Sequence, residues 1–144
     1  MPDIILPDQR VFVSKPWGWE DWILNDKSAN LCQKVLFIKA GRSGSIHMHP
    51  VRDAVLCCDS GCLQIEYLQG NPAMMARSDI QAMVAVAVVQ ILPGMAIRLR
   101  PGDWHRLGAG SDTYVYEAST FHSDDDVKRA DSWTDVLGPQ TKES

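Results

Sequence analysis

The sequence predicts an all-β protein, folded as an antiparallel sandwich or barrel. Short segments of alternating or uniformly apolar residues, many of them β-branched, follow one another along most of the chain. Turn-forming pairs of glycine, proline and serine separate several of these segments, and no helical apolar period is sustained. We therefore expect a series of short strands joined by tight turns.

Seven segments carry the strand pattern. The first segment, 10–15, alternates between apolar and polar residues, and the second, 31–40, is rich in β-branched and aromatic residues. Ser60 and Gly61 separate the third segment from the fourth and predict a hairpin there. Pro93-Gly94 and residues 108–112 predict turns between later strands. The predicted strands are 10–15, 31–40, 54–59, 62–68, 83–92, 95–100 and 112–119.

Two segments interrupt the strand pattern. Residues 69–81 predict an excursion between strands, either a loop or a loop with a short helical turn. Residues 123–144 predict a polar tail that begins with a helical turn capped by Ser123. With no internal repeat and no linker composition, residues 1–144 are expected to form a single domain.

Composition restricts the possible partners. A chain of 144 residues with 45% hydrophobic and 22% charged residues can bury a core. Its net charge of −4 gives no basic field for nucleic acid, and the longest apolar run, 82–89, is too short to cross a membrane. The amino terminus lacks a signal-peptide pattern. We expect a cytoplasmic protein without nucleic-acid or membrane partners, whose four cysteines are free thiols.

Three histidines and one acid are candidate metal ligands. His47 and His49 are two residues apart, so on a strand their imidazoles share a face. Asp53 follows, and His105 lies far along the chain after a Pro-Gly turn. Three imidazoles and a carboxylate suit Zn²⁺, Fe²⁺, Mn²⁺, Ni²⁺ or Co²⁺. Taken alone, the first two histidines are more typical of a surface pair near a strand end, and only the second motif favours a metal site.

The spacing of these residues resembles the first motif of the cupin superfamily. That motif has glycine, five residues, His-x-His, three or four residues, glutamate, six residues and glycine. Here Gly41 precedes the histidine pair by the same interval, Asp53 replaces the glutamate, and Gly61 follows after seven residues.

A second cupin motif is matched in part. Pro101, Gly102 and His105 resemble its Pro-x-Gly-x-x-His pattern with the proline displaced, and Ala109 stands where asparagine is usual. The resemblance implies a single-domain cupin β-barrel, an antiparallel jelly roll. It also implies one divalent transition metal in the barrel mouth, held by His47, His49, Asp53 and His105, and a homodimer.

A narrower resemblance is to the cupin domain of type II phosphomannose isomerases. Residues 15–24 resemble its Arg/Lys-Pro-Trp-Gly opening, 35–49 its strand before the ligands, and 116–131 its closing segment. In that alignment His47 replaces a glutamine ligand. The resemblance implies isomerisation of a sugar or sugar phosphate, with Glu117, Asp126 and Arg129 at the site.

Such a reaction needs a base, a Lewis acid and cations for a phosphate. Glu117, Arg129 and Lys34 are the candidate catalytic residues. Arg98, Arg100 and Asp126 are the candidate substrate-binding residues; Arg98 and Arg100 share one face of their strand, which is either the barrel lumen or a solvated outer face. The tryptophans Trp17, Trp19 and Trp22 are expected to pack the amino-terminal strand or a dimer contact.

Two other functions remain open at this point. The same ligands would hold iron in a cupin oxygenase or lyase acting on a small organic acid. A cupin that binds a small ligand without turnover is the third possibility, favoured by the departures at Asp53 and Ala109.

Overall fold

The computed structural model describes residues 1–67 and 87–129. Apart from a short 3-10 helix at Pro7–Gln9, their regular structure is entirely β, which confirms the predicted class. The strands are β1 (Val11–Lys15), β2 (Gly18–Asp26), β3 (Leu31–Ile38), β4 (His47–Met48), β5 (Ala54–Ser60), β6 (Leu63–Tyr67), β7 (Ala87–Ile91), β8 (Ala96–Leu99), β9 (His105–Ala109), β10 (Thr113–Ser119) and β11 (Lys128–Arg129).

The strands form two antiparallel sheets. One has the order β1-β2-β3-β10-β5-β8, and the other β11-β4-β9-β6-β7. Alternate residues of each strand point between the sheets, where Leu36, Leu56 and Val115 of the first sheet pack with Leu63 and Ile65 of the second. Burial of these side chains drives the association of the two sheets.

The chain crosses from one sheet to the other at most turns. Consequently β5 and β6 do not pair: β5 lies between β10 and β8, and β6 lies between β9 and β7. The predicted hairpin at Ser60-Gly61 is therefore wrong, because alternation identifies the buried face of a strand but not its sheet. Gly61 instead makes a corner with φ +85°, where a Cβ would lie 2.4 Å from the Asp112 carbonyl oxygen.

The structure confirms some of the other predicted turns and strands and not others. The turn at Pro93-Gly94 is confirmed, and the turn predicted at 108–112 is confined to 110–112, because residues 108 and 109 belong to β9. Of the strand predicted at 83–92, only β7 falls within the described residues, and 69–81 and 130–144 lie outside them. Ser123 caps a single turn, accepting from the Asp125 amide at 3.3 Å, and the chain continues into β11 and not into a helix. Within 1–67 and 87–129, no helix is long and apolar enough to span a bilayer.

Polar residues replace apolar ones at one end of the space between the sheets. On β3 the inward positions run from Ile38 and Leu36 to Lys34, and on β10 from Val115 to Glu117, all of them buried. Lys34 and Glu117 are direct cross-strand neighbours. Charged groups at buried positions require partners, so this end of the barrel is where a functional site is expected.

Candidate functional site

A cavity of about 440 Å³ occupies this polar end. Its walls come from both sheets: Trp22 and Lys34 of β2 and β3 stand on one side, with Glu117 of β10, and His47 and His105 of β4 and β9 on the other. A volume of this size suits a small molecule, and the mouth of a β-barrel is a frequent place for such a ligand.

Three of the four predicted metal ligands meet in this cavity. One ring nitrogen from each of His47, His49 and His105 lies within 4.8 Å of the others. His47 and His105 are register partners across β4 and β9, with ring centroids 4.6 Å apart, while His49 follows directly after β4. The long-range pairing of β4 with β9 thus brings together histidines that the sequence separates widely.

The backbone fixes which nitrogen each histidine presents. The Nδ1 atoms of His47, His49 and His105 lie 2.9, 2.6 and 2.8 Å from the carbonyl oxygens of Ser45, Asp126 and Asp103. A carbonyl only accepts, so each Nδ1 carries the proton and donates. The lone pair of each ring is therefore on Nε2. Histidines that bind a metal through Nε2 typically donate from Nδ1 to a backbone carbonyl in this way.

Burial keeps the first two imidazoles neutral. It lowers the pKa of His47 to about 3, with a further lowering by His49. It lowers the pKa of His49 to about 3 as well, and the Arg52 guanidinium contributes in the same direction. Neutral imidazoles are the form that binds a metal, so the donor set fits a divalent transition-metal ion.

Asp53, the predicted fourth ligand, lies outside this group of three histidines. Its carboxylate accepts two hydrogen bonds from Arg98, at 3.0 and 2.7 Å, on the protein surface. That ion pair holds the pKa of Asp53 below its usual range, chiefly through the hydrogen bonds from Arg98. Arg98 is about half exposed and does not line the cavity, so of the two faces left open by the sequence it lies on the solvated outer one.

Beside His49, where the motif would place an acidic ligand, the structure has the guanidinium of Arg52. Arg52 is 8% exposed, and its Nη2 lies 2.6 Å from Nε2 of His49. Its Nη1 donates to Nδ1 of His122. Arg52 was not among the predicted site residues, and only its place between His49 and Asp53 in the motif could have indicated it.

A buried lysine holds the opposite wall together. Lys34 is 1% exposed, with its Nζ 3.3 Å from Oε1 of Glu20 and 3.8 Å from Oε2 of Glu117. Nζ also donates to Nδ1 of His122 at 2.9 Å and lies 4.5 Å from the Trp22 ring centroid. Burial raises the pKa of Glu20, but the charge of Lys34, with smaller effects from Lys15 and hydrogen bonds, lowers it overall.

Two of the three tryptophans that were predicted to pack the amino-terminal strand or a dimer contact lie in the cavity wall. Trp17 and Trp22 line the cavity, whereas Trp19 lies in an aromatic row on the outer face of the larger sheet. His122 also lines the cavity. Its pKa is lowered by burial and by Lys34, so its Nε2–H donates to Asp124 as a neutral group.

The remaining predicted residues differ in placement. Arg100 and Arg129 line the cavity near its opening. Asp126 lies outside the lining; its two carboxylate oxygens accept from the backbone amides of Val51 and Arg52, each at 2.8 Å. Asp126 therefore shapes the loop after β4 and, through its carbonyl, orients His49.

Known structures were compared with this fold. A KdgF from Halomonas sp. superimposes with a TM-score of 0.63 at 14% identity, covering 87% of this chain and 98% of its own. An RmlC-like cupin from Shewanella frigidimarina gives 0.61 at 9%, covering 87% and 96%. The chain has the cupin fold. An oxalate decarboxylase from Bacillus subtilis gives 0.68 at 10%, covering 88% of this chain and 31% of its own.

At these identities the cupin similarity concerns the fold. No protein-family model and no curated protein matches the sequence. The narrower resemblance to type II phosphomannose isomerases therefore stays a prediction from the residues that carry it.

Proposed function

We propose that this cupin is a metal-dependent enzyme that isomerises a small anionic sugar or sugar phosphate by moving a proton between adjacent carbons. One observation carries the proposal. Three histidine Nε2 atoms face a cavity whose opposite wall holds a buried carboxylate with an oxygen that lacks a hydrogen-bond partner among the described residues, Oε2 of Glu117.

His47, His49 and His105 would hold the ion, which is Zn²⁺, Fe²⁺, Mn²⁺, Ni²⁺ or Co²⁺. When bound, the metal supplies a Lewis acid that polarises the substrate carbonyl. The backbone carbonyls behind the three Nδ1 atoms keep the rings in place. The predicted fourth ligand, Asp53, has no part in this arrangement.

Glu117 is the proposed base. Its Oε2 takes the proton from the carbon beside the carbonyl, the electrons of that C–H bond form the enediol double bond, and the carbonyl π pair moves onto its oxygen. The hydroxyl proton on the carbon that lost its hydrogen passes to that oxygen. Oε2 of Glu117 returns its proton to the former carbonyl carbon, which restores the carboxylate. Lys34, 3.8 Å away, stabilises the charged carboxylate before the first transfer and after the second.

The charges around the cavity favour an anionic substrate. Five cations line it, and three acids do, so its formal charge is 5 − 3 = +2 in a chain whose net charge is −4. Arg100 and Arg129 are the exposed members near the opening, where a phosphate could remain partly solvated. The cations are Lys15, Lys34, Arg52, Arg100 and Arg129, and the acids are Glu20, Glu117 and Asp124.

An isomerase assay on a panel of hexose phosphates tests this function. Glu117→Gln should reduce kcat by about 10²–10⁴-fold, because it removes the proton acceptor while retaining size. Metal content should not change. Asp53→Asn, at a surface position outside the cavity, is the control and should behave as the wild type. Wild-type turnover by Glu117→Gln would show that this carboxylate is not the base.

A lyase or oxygenase acting on a small organic acid is the second candidate. The observation that favours it is the Arg52 guanidinium beside His49, a suitable partner for a substrate carboxylate. The fold similarity to an oxalate decarboxylase is consistent with it. Iron in the purified protein, with oxygen uptake on addition of an organic acid, would favour this candidate over the isomerase.

We also propose a homodimer. The outer face of the larger sheet carries an aromatic row of Phe12, Trp19, Phe37 and Tyr114, with neighbouring ring centroids 4.9–6.0 Å apart. Phe12 is 64% exposed, and exposed aromatic rows of this kind are typical of contact surfaces. Light scattering should give twice the mass of one chain, and Phe12→Ser should lower it.

A further inference from the structure

We propose that Arg52 binds an oxyanion group of the substrate beside the metal, and that metal binding is what makes its guanidinium available. This inference rests on the proposed function, because it requires that the three histidines hold a metal. It assigns to Arg52 a role in substrate selection in place of the acid that the motif would have supplied.

Arg52 is a buried cation without a carboxylate partner. Its side chain contacts two imidazoles, those of His49 and His122, and within the described part of the chain it takes part in no ion pair. Its Nε is buried and has no hydrogen-bond partner there. An uncompensated buried charge is unfavourable. A carboxylate or phosphate would compensate it and match the two-pronged geometry of a guanidinium.

Arg52 and a metal compete for the same lone pair. His49 donates from Nδ1 to the carbonyl of Asp126, so its only acceptor is Nε2, and Arg52 Nη2 lies 2.6 Å from that atom. A metal bound to Nε2 displaces this hydrogen bond. The released Nη2 then lies in the cavity as a donor, next to a second positive charge. Binding of the metal should therefore strengthen binding of the anion.

Two measurements on purified, metal-free protein separate the roles of Arg52. Co²⁺ is titrated first and followed by its visible absorption. The Co²⁺-loaded protein is then titrated calorimetrically with glycolate in one arm and inorganic phosphate in the other, which distinguishes a carboxylate from a phosphate ligand. The variants are Arg52→Gln and Arg52→Lys, and Arg98→Gln is the matched control outside the cavity.

Arg52→Gln should bind Co²⁺ at least as tightly as the wild type, because a competing cation is gone, and should bind the preferred anion about tenfold or more weakly. General damage to the site would weaken both. Arg52→Lys keeps the charge but cannot contact both imidazoles, so its anion affinity should be intermediate; this variant decides the matter if Arg52→Gln does not fold. Arg98→Gln should match the wild type, and metal-free wild-type protein should bind either anion more weakly than loaded protein.

The inference is overturned if Arg52→Gln or Arg52→Lys binds the anion as tightly as the wild type does. It is also overturned if the Co²⁺-loaded wild type binds neither glycolate nor phosphate. Failure of the wild type to bind Co²⁺ is a separate result. It would contradict the metal-dependent function itself.

Discussion

Replacement of Lys34 by methionine should destabilise the protein strongly, because it leaves two buried carboxylates without their common cation. Lys34 Nζ lies 3.3 Å from Glu20 and 3.8 Å from Glu117. At an effective dielectric constant of ~20, these pairs are worth about 5 and about 4 kcal/mol. Burial of the ammonium offsets several kcal/mol of this attraction, so the expected net loss is about 3–5 kcal/mol. Methionine is similar in length to the lysine stem, so packing changes little.

Urea unfolding of metal-free protein at pH 7 measures the effect without a contribution from a bound ion. A triple variant, Lys34→Met with Glu20→Gln and Glu117→Gln, should recover most of the loss, because no carboxylate then remains uncompensated. If Lys34→Met alone is as stable as the wild type at an unchanged m-value, Lys34 is not the centre of an ion-pair network.

Two further changes test the fold around the site. Glu20→Gln should lower the free energy of unfolding by about 3 kcal/mol at pH 7. Since the folded pKa of Glu20 lies below 4.5, its stabilising contribution is present above pH 4.5 and is lost as the pH falls further. Urea unfolding at pH 7 and pH 3.5 should show the difference between variant and wild type shrinking, and a constant difference would refute it. Gly61→Ala should cost about 2–4 kcal/mol in thermal unfolding, since φ is +85° and the new Cβ meets Thr113 Oγ1 at 2.4 Å. Gly94→Ala is the matched control, with φ +87° and no atom within 4 Å, and should cost about 1 kcal/mol; equal losses would contradict the close approach at Gly61.

Much of the fold was predictable because strands are encoded locally. The β-branched and aromatic residues of β3 and β10 predict both strands, but their buried faces, which include Lys34 and Glu117, do not follow from an alternation of apolar residues. Which sheet each strand joins is not encoded in that pattern, and the hairpin predicted at Ser60-Gly61 was wrong for this reason. Long-range pairing, such as β10 between β3 and β5, is decided by the whole core.

The candidate site was predictable where a motif fixes spacing. His47, His49 and His105 occupy motif positions and meet in the structure. Asp53 also occupies a motif position, but its carboxylate pairs with Arg98 at the surface while the preceding Arg52 turns inward. A shift of one residue reverses the face of a strand or an extended loop, and the sequence alone does not show it.

Residues that reach the cavity from distant segments could not be assigned by spacing. Glu20 and His122 are about a hundred residues apart, and they meet only because Lys34 lies between them in the folded protein. Polar residues at inward positions of apolar strands were the available signal. Lys34 and Glu117 both carry that signal.

The central claim is that His47, His49 and His105 together hold a metal ion, and elemental analysis of the purified protein tests it most directly. We expect about one divalent transition-metal ion per chain in the wild type and in Asp53→Asn, and less than about a tenth of that in His105→Ala. A His105→Ala protein that folds and retains the wild-type metal content, or an Asp53→Asn protein that loses it, would contradict the three-histidine site.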